Sequence, residues 1–185
     1  MKRWLIWIMM AVLLSGCGNS NSDMDQMLIT REKLLKSGCS FHAVVTADYG
    51  DRVYTFGIKS TANQHGDVAF EVDSPQSICG ITGEITEEKG TLTFDDKVLA
   101  FALMAEGQIT PVSAPWILVK TLRSGYIHAS EKTDKGMHIQ IDDSYREDAL
   151  RLDIWFNEDN NPYRAEIFYK GRRIITMDVD SFTFL

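Results

Sequence analysis

The chain has 185 residues, 44% hydrophobic and 24% charged, with 26 acidic against 19 basic side chains and a formal net charge of −7. Such a length suits one domain with a sizeable core. Acidity without a basic stripe brings repulsion from phosphate backbones and anionic bilayers, which excludes nucleic acid as a partner.

At the N-terminus, Met1-Lys2-Arg3 precedes an apolar run from Trp4 that ends in Leu14-Ser15-Gly16-Cys17. Two positive charges, roughly a dozen apolar residues and small residues before a cysteine describe an export signal, too short for a comfortable bilayer crossing. Leu-Ser-Gly-Cys resembles the lipobox of bacterial lipoproteins. That resemblance implies that residues 1–16 are a signal peptide and that Cys17 is lipidated with palmitate-class chains, so the membrane is a partner through this anchor. The implied location is the cell envelope, on the extracytoplasmic face of a bacterial membrane. Gly18-Asn19 lacks the Asp that resembles a retention signal, which favours the outer membrane where one exists and otherwise the cell membrane. Residues 17–23 read as the lipidated end and a polar, flexible tether, and residues 24–185 as a single domain.

From Asp23 to Lys36, the residues Met24, Met27, Leu28, Leu34 and Leu35 stand among charges at helical spacing, ended by Ser37-Gly38. The period then becomes two. Phe41 to Tyr49 and Arg52 to Lys59 form an antiparallel hairpin around Gly50-Asp51. Val68, Phe70 and Val72 alternate with Ala69, Glu71 and Asp73 in a strand that Pro75 ends. Short strands follow at Ile78 to Thr86, Thr91 to Phe94 and Val98 to Met104. Val98 to Ala105 is apolar on both sides and reads either as a strand buried on two faces or as a helical turn. Pro111 to Pro115 introduces a helix over Trp116 to Leu122, capped by Gly125. Tyr126 to Thr133 and Met137 to Asp142 make a second hairpin; Leu150 to Asn157, Tyr163 to Tyr169 and Arg172 to Val179 make a closing meander. The sum is a mainly β, α+β domain: about ten antiparallel strands in a single curved sheet or half-barrel, with an N-terminal helix and an inserted lid helix. A two-sheet sandwich is the alternative.

The order of these elements resembles the LolA/LolB superfamily, and the closing segments Leu152-Asp153-Ile154-Trp155-Phe156, Asn160 to Ile167 and Arg173 to Met177 carry much of the likeness. The resemblance implies an incomplete β-barrel with helices as a lid. Its members include carriers and receptors for the acyl chains of lipoproteins, but no carrier arginine or receptor loop falls on a residue here.

Nothing in the sequence points to catalysis or a cofactor. His42, His65, His128 and His138 lie far apart without metal spacing, and there is no nucleophile elbow or phosphate loop. The acidic pairs, such as Asp142-Asp143 and Glu147-Asp148, fall in turns, where such residues serve the backbone, and lack a calcium-loop pattern. With Cys17 acylated, Cys39 and Cys79 remain; outside the cytoplasm they form either a disulfide or two separate thiols.

What stands out is apolar. Tyr54, Phe56, Ile58, Phe70 and Val72 share the inward parity of their strands, as do Leu152, Ile154, Phe156, Ile167 and Met177, and Trp116 opens the covering helix. They line either a ligand cavity or a filled core. The first makes the chain an anchored lipoprotein that binds a lipid or an acylated protein partner in the concave face, without chemistry. The second makes it an envelope interaction or sensory lipoprotein with no ligand, working through its outer face, where parity places Trp155 among Arg151, Asp153 and Asn157.

Overall fold

The structure is a computed structural model that describes residues 20–105, 108–146 and 149–185. Residues 1–16 and Cys17 lie outside the described residues. Helix α1 spans Ser20–Ser37, beginning inside the segment expected to be a tether. Gly38 closes it with φ +81°, its N–H on Leu34 O at 3.2 Å. A side chain at Gly38 would strike Ala62 O, so only glycine fits this turn into the sheet.

Thirteen strands follow: β1 Cys39–Asp48, β2 Val53–Ala62, β3 Val68–Ser74, β4 Thr82–Ile85, β5 Gly90–Phe94, β6 Lys97–Phe101, β7 Met104–Ala105, β8 Gln108–Ile109, β9 Tyr126–Thr133, β10 Gly136–Asp142, β11 Arg151–Phe156, β12 Pro162–Tyr169 and β13 Arg172–Phe184. Between β8 and β9 lie a 3-10 turn over Pro111–Ser113 and helix α2, Ala114–Ser124. Apart from the β7–β8 pair, the strands form one 11-stranded antiparallel sheet, β6-β5-β4-β3-β2-β1-β13-β12-β11-β10-β9. This is the expected half-barrel, not a sandwich. The β1–β13 pairing, Cys39 opposite Phe184, joins the first strand to the last in the middle of the sheet.

Alternation decides which face is covered. Cys39, Phe41, Ala43, Val45 and Ala47 of β1 are buried, while Ser40, His42 and Thr46 between them are half-buried and Val44 and the final Asp48 are exposed. Helix α2 is apolar nearly all round and buries Trp116, Ile117, Leu118, Val119 and Leu122, as expected of a helix packed inside a curved sheet. Helix α1 packs on α2, β9 and β13 through Met27 and Leu34.

Two segments differ from expectation. Residues 98–101 belong to a strand, but one exposed on both faces, with Val98 68% and Leu99 58% accessible, because β6 is the sheet's edge and extends past the helices. The strand expected from Ile78 is confined to Thr82–Ile85; the preceding residues turn back so that Gly80 N–H meets Val72 O at 2.8 Å.

Candidate functional site

Strand register brings the predicted inward residues together. Phe56, Ile58, Phe70 and Val72 from one half of the sheet, Leu152, Ile154, Phe156, Ile167 and Met177 from the other, and Trp116 from α2 are all buried in one core. Ile154 lies between Ile139 and Ala165, and Met177 between Val45 and Ala165. Tyr54 is the exception. It is 44% exposed, because the first three residues of β2 are uncovered, and it meets Tyr49 edge-on at 6.2 Å between ring centroids.

The two helices are locked by a reciprocal pair of arginines. Arg31 of α1 donates to Leu122 O at 2.9 Å and Gly125 O at 2.7 Å, at the C-terminal end of α2. Arg123 of α2 donates to Leu34 O at 3.0 Å, near the end of α1. Each guanidinium thus satisfies carbonyls at the negative end of the partner helix. Burial lowers the Arg31 pKa.

Beside this lock opens a cavity of about 420 Å³ between the two helices and the β2–β3 and β4–β5 turns, and Trp116 is the predicted residue that faces it. Leu35 and Trp116 provide apolar surface; Lys120 and Arg123 bring positive charge and Asp67 and Glu87 negative charge to the rim, with His65 beside them. The Lys120 ammonium lies 5.0 Å from the Trp116 ring centroid. Gly66, at φ +92°, lets the β2–β3 turn approach closely, since a side chain there would meet Arg123 Nε. A mouth of this size falls within the range of small-ligand sites, roughly 300 to 1,000 Å³. Its apolar floor and charged rim can hold an aliphatic chain with a polar head. Leu35, Lys120 and Arg123 were not read as site residues from the sequence. The signal available there was a pair of arginines, Arg31 and Arg123, set on otherwise core-facing helices.

The helix-free face differs between its halves. Across β13, β1, β2, β3, β4 and β5, a shallow groove of about 1020 Å³ has a floor of short side chains, Thr183, Ser40, Thr61, Ala69 and Thr91, with Lys59, Glu71 and Glu84 beside them. At its side, His42 Nδ1 lies 2.7 Å from Asp180 and Nε2 lies 3.2 Å from Asp73. Across β9 to β13 the same face is closed by long side chains. Trp155 stacks on His138, ring centroids 4.5 Å apart and 13° from parallel, with the Arg164 guanidinium 6.0 Å from its ring. Trp155 is therefore held between neighbours on its own sheet.

His42 and His138 contact carboxylates on opposite halves of the sheet, and His65 sits at the mouth. Among the described residues, no group of three or more His, Cys, Asp or Glu side chains is placed to hold a metal ion. Asp143 accepts the Leu150 N–H at 2.8 Å and so closes its own turn; Glu147 and Asp148 lie outside the described residues.

Cys39 is buried, Cys79 is exposed, and both are free thiols in this structure. Cys39 is in register with Ala62, and Ala62 with Val68, whereas Cys79 precedes the turn that returns to Val72. Four residues of strand separate those positions by about 13 Å, beyond the roughly 7 Å that a bridge tolerates. Burial pushes the Cys39 thiol up to about 12 despite the pull of Arg123.

No protein-family model and no curated protein matches the chain. Solved structures do. An uncharacterized conserved protein from Thermus thermophilus is 14% identical, with 88% of each chain covered and a TM-score of 0.49. A LolA superfamily protein from Nitrosomonas europaea is 10% identical, with 86% of this chain and 93% of that one covered and a TM-score of 0.43. The lipoprotein LppX from Mycobacterium tuberculosis is 10% identical, with 86% and 96% covered and a TM-score of 0.44. These are likenesses of overall architecture at low identity, and they transfer no ligand or partner to this chain.

Proposed function

We propose that this chain is a lipoprotein of the bacterial cell envelope, anchored by lipid on Cys17, that binds an apolar or acylated ligand at the mouth between α1, α2 and the sheet and performs no chemistry on it. The observation that carries this reading is the mouth itself: a cavity of about 420 Å³ in which Trp116 and Leu35 meet a charged rim of Lys120 and Arg123 facing Asp67 and Glu87. Phe56, Ile154 and Phe156 belong to the packed apolar core that Trp116 also joins. Each methylene taken out of water contributes about 0.8 kcal/mol, so an acyl chain needs few polar contacts to stay bound.

Trp116 and Trp155 lie on opposite faces of the sheet, and this gives a direct test. Brominated fatty acid added in detergent to the processed chain beginning at Cys17, in which Trp116 and Trp155 are the two tryptophans, is expected to quench its fluorescence saturably. Trp116→Phe should lose most of that quenching and Trp155→Phe should keep it. Equal quenching in both variants, or none in the parent, sinks the reading. For the anchor, Cys17→Ser is expected to stop incorporation of a fatty-acid analogue and release the protein from membranes. Continued labelling of that variant would show that the N-terminal reading is wrong. The packing of the core favours one alternative, an interaction lipoprotein without a ligand. That alternative predicts a protein partner lost on Trp155→Ala and a melting temperature that no fatty acid changes.

A further inference from the structure

Helix α1 carries partly exposed apolar side chains on the side where Arg31, between them, turns its guanidinium aside to Leu122 O and Gly125 O of α2. Met24 is 37% exposed, Leu28 49% and Leu35 49%. Their spacing, i, i+4 and i+11, puts them on one line along the helix, well round from the buried Met27, Thr30 and Leu34. Ile29 is also exposed, at 52%, but sits about 120° away from that line. The stripe therefore has a direction: it starts near the beginning of α1 and ends at Leu35, which lines the mouth beside Trp116.

What covers such a stripe follows from the chain that precedes it. The apolar run from Trp4 to Leu14 ends shortly before α1 begins at Ser20, with only residues 15–19 between them. Whether that run stays in a bilayer or is replaced by lipid on Cys17, five residues reach at most about 18 Å. A membrane surface is thus within reach of the first turns of α1. We infer that α1 lies along the lipid surface, with Met24, Leu28 and Leu35 pressed into the boundary between headgroups and acyl chains, so that the mouth opens against the bilayer. The inference takes its anchor from the lipoprotein reading but does not depend on a ligand in the mouth. An apolar ligand would then pass between bilayer and cavity without crossing water. The surface concerned is a neutral one, because a chain of net charge −7 is repelled by anionic headgroups.

Spin labels test the orientation. In a Cys79→Ser background, Leu28→Cys, Leu35→Cys, Ile29→Cys and Lys33→Cys are labelled in the full chain, reconstituted into phosphatidylcholine vesicles; Cys39 is buried and stays unlabelled. Labels at positions 28 and 35 are expected to be several-fold more accessible to oxygen, and less to a water-soluble nickel chelate, than labels at positions 29 and 33. Melting curves confirm that each variant is folded. Equal nickel accessibility at all four positions would overturn the inference. Flotation of Cys17→Ser judges the anchor separately: loss of flotation upholds the anchor, while the labels on the vesicle-bound parent decide how α1 lies. Protection at 28 and 35 together with continued flotation of Cys17→Ser would support the orientation and refute the lipid anchor.

Discussion

The helix-free face is built in two ways on one backbone. Over β9 to β13 the outward residues are long and tied to each other. Arg164 donates to Asp178 and to Glu166, each at 2.8 Å, Arg173 donates to Glu166 at 3.0 Å, and His138 lies 2.9 Å from Glu131. Over β1 to β5 short hydroxyl-bearing or alanine side chains form a floor, with Lys59, Glu71 and Glu84 beside it, and the same pleat leaves a groove. Both halves share the core on the other side, where Ile154 and Met177 join residues of β1 and β2. The lesson is that side-chain reach, not backbone geometry, decides whether a sheet surface is closed. Substitutions in the shared core should damage both halves together, and those on the outer face should damage only one.

The largest effect is expected from the core. Ile154→Asp puts an unpaired charge at a fully buried position between Ile139 and Ala165, a change expected to cost about 4 kcal/mol or more and to unfold the domain as one unit. Urea denaturation followed by circular dichroism checks this. A modest loss of stability would mean that water reaches Ile154 and that the ligand space extends well beyond the mouth.

Next comes the closed half. Glu166 is 8% exposed and depends on two guanidiniums, so Arg164→Ala should cost about 1–3 kcal/mol by leaving a buried acceptor short of donors. The matching truncation on the grooved half, Lys59→Ala, removes an exposed ammonium 3.7 Å from Asp73 and should stay within about 0.5 kcal/mol. Equal costs would erase the contrast between the halves.

Acid sharpens the same point. Burial pushes the Glu166 pKa up, but the hydrogen bonds and charges of Arg164 and Arg173 outweigh it and hold the carboxyl below its ordinary value of 4.5. Its stabilising contribution is therefore complete above that value and disappears as pH falls through the lower, folded-state pKa. Glu166→Gln should flatten the acid side of the stability profile below about pH 4.5. A parent and variant that lose stability in parallel there would assign acid sensitivity to other carboxylates.

Much of this architecture is legible locally. The alternation of Leu152, Ile154 and Phe156, the prolines before α2 and the turns at Gly50 and Gly171 fix strands and helices because each signal lies within a few residues. The pairing of β1 with β13 is not local. It brings His42 to Asp180 and Ser40 to Thr183, and neither the groove nor the ion pairs at its side can be read without it. The mouth was missed for a similar reason: Leu35, Trp116 and His65 come from α1, α2 and a turn, and only tertiary packing joins them. At Val98 and Leu99 the difficulty is different, since apolar composition implies burial while an edge strand leaves the residues in solvent.

The smallest expected effect lies where the two halves meet. His42 is held between Asp180 at 2.7 Å and Asp73 at 3.2 Å, with Lys59 3.7 Å from Asp73 on the other side. Burial by itself lowers the His42 pKa, but the hydrogen bonds and charges of the two carboxylates outweigh it, and the net shift is upward from 6.5. A raised folded-state pKa means that the protonated imidazole stabilises the fold fully below the unfolded value, and that this contribution fades as pH rises through the folded value. The melting temperature of the parent should therefore decline slightly more than that of His42→Gln as the pH is raised above about 6.5. The difference is small because Asp180 is largely in solvent and its attraction is screened. High salt should shrink it further, while leaving the Glu166 effect at low pH nearly intact, since that carboxylate is shielded by its arginines from solvent. A decline in the parent that matches His42→Gln at low salt would remove His42 as the titrating link between the grooved and the closed half.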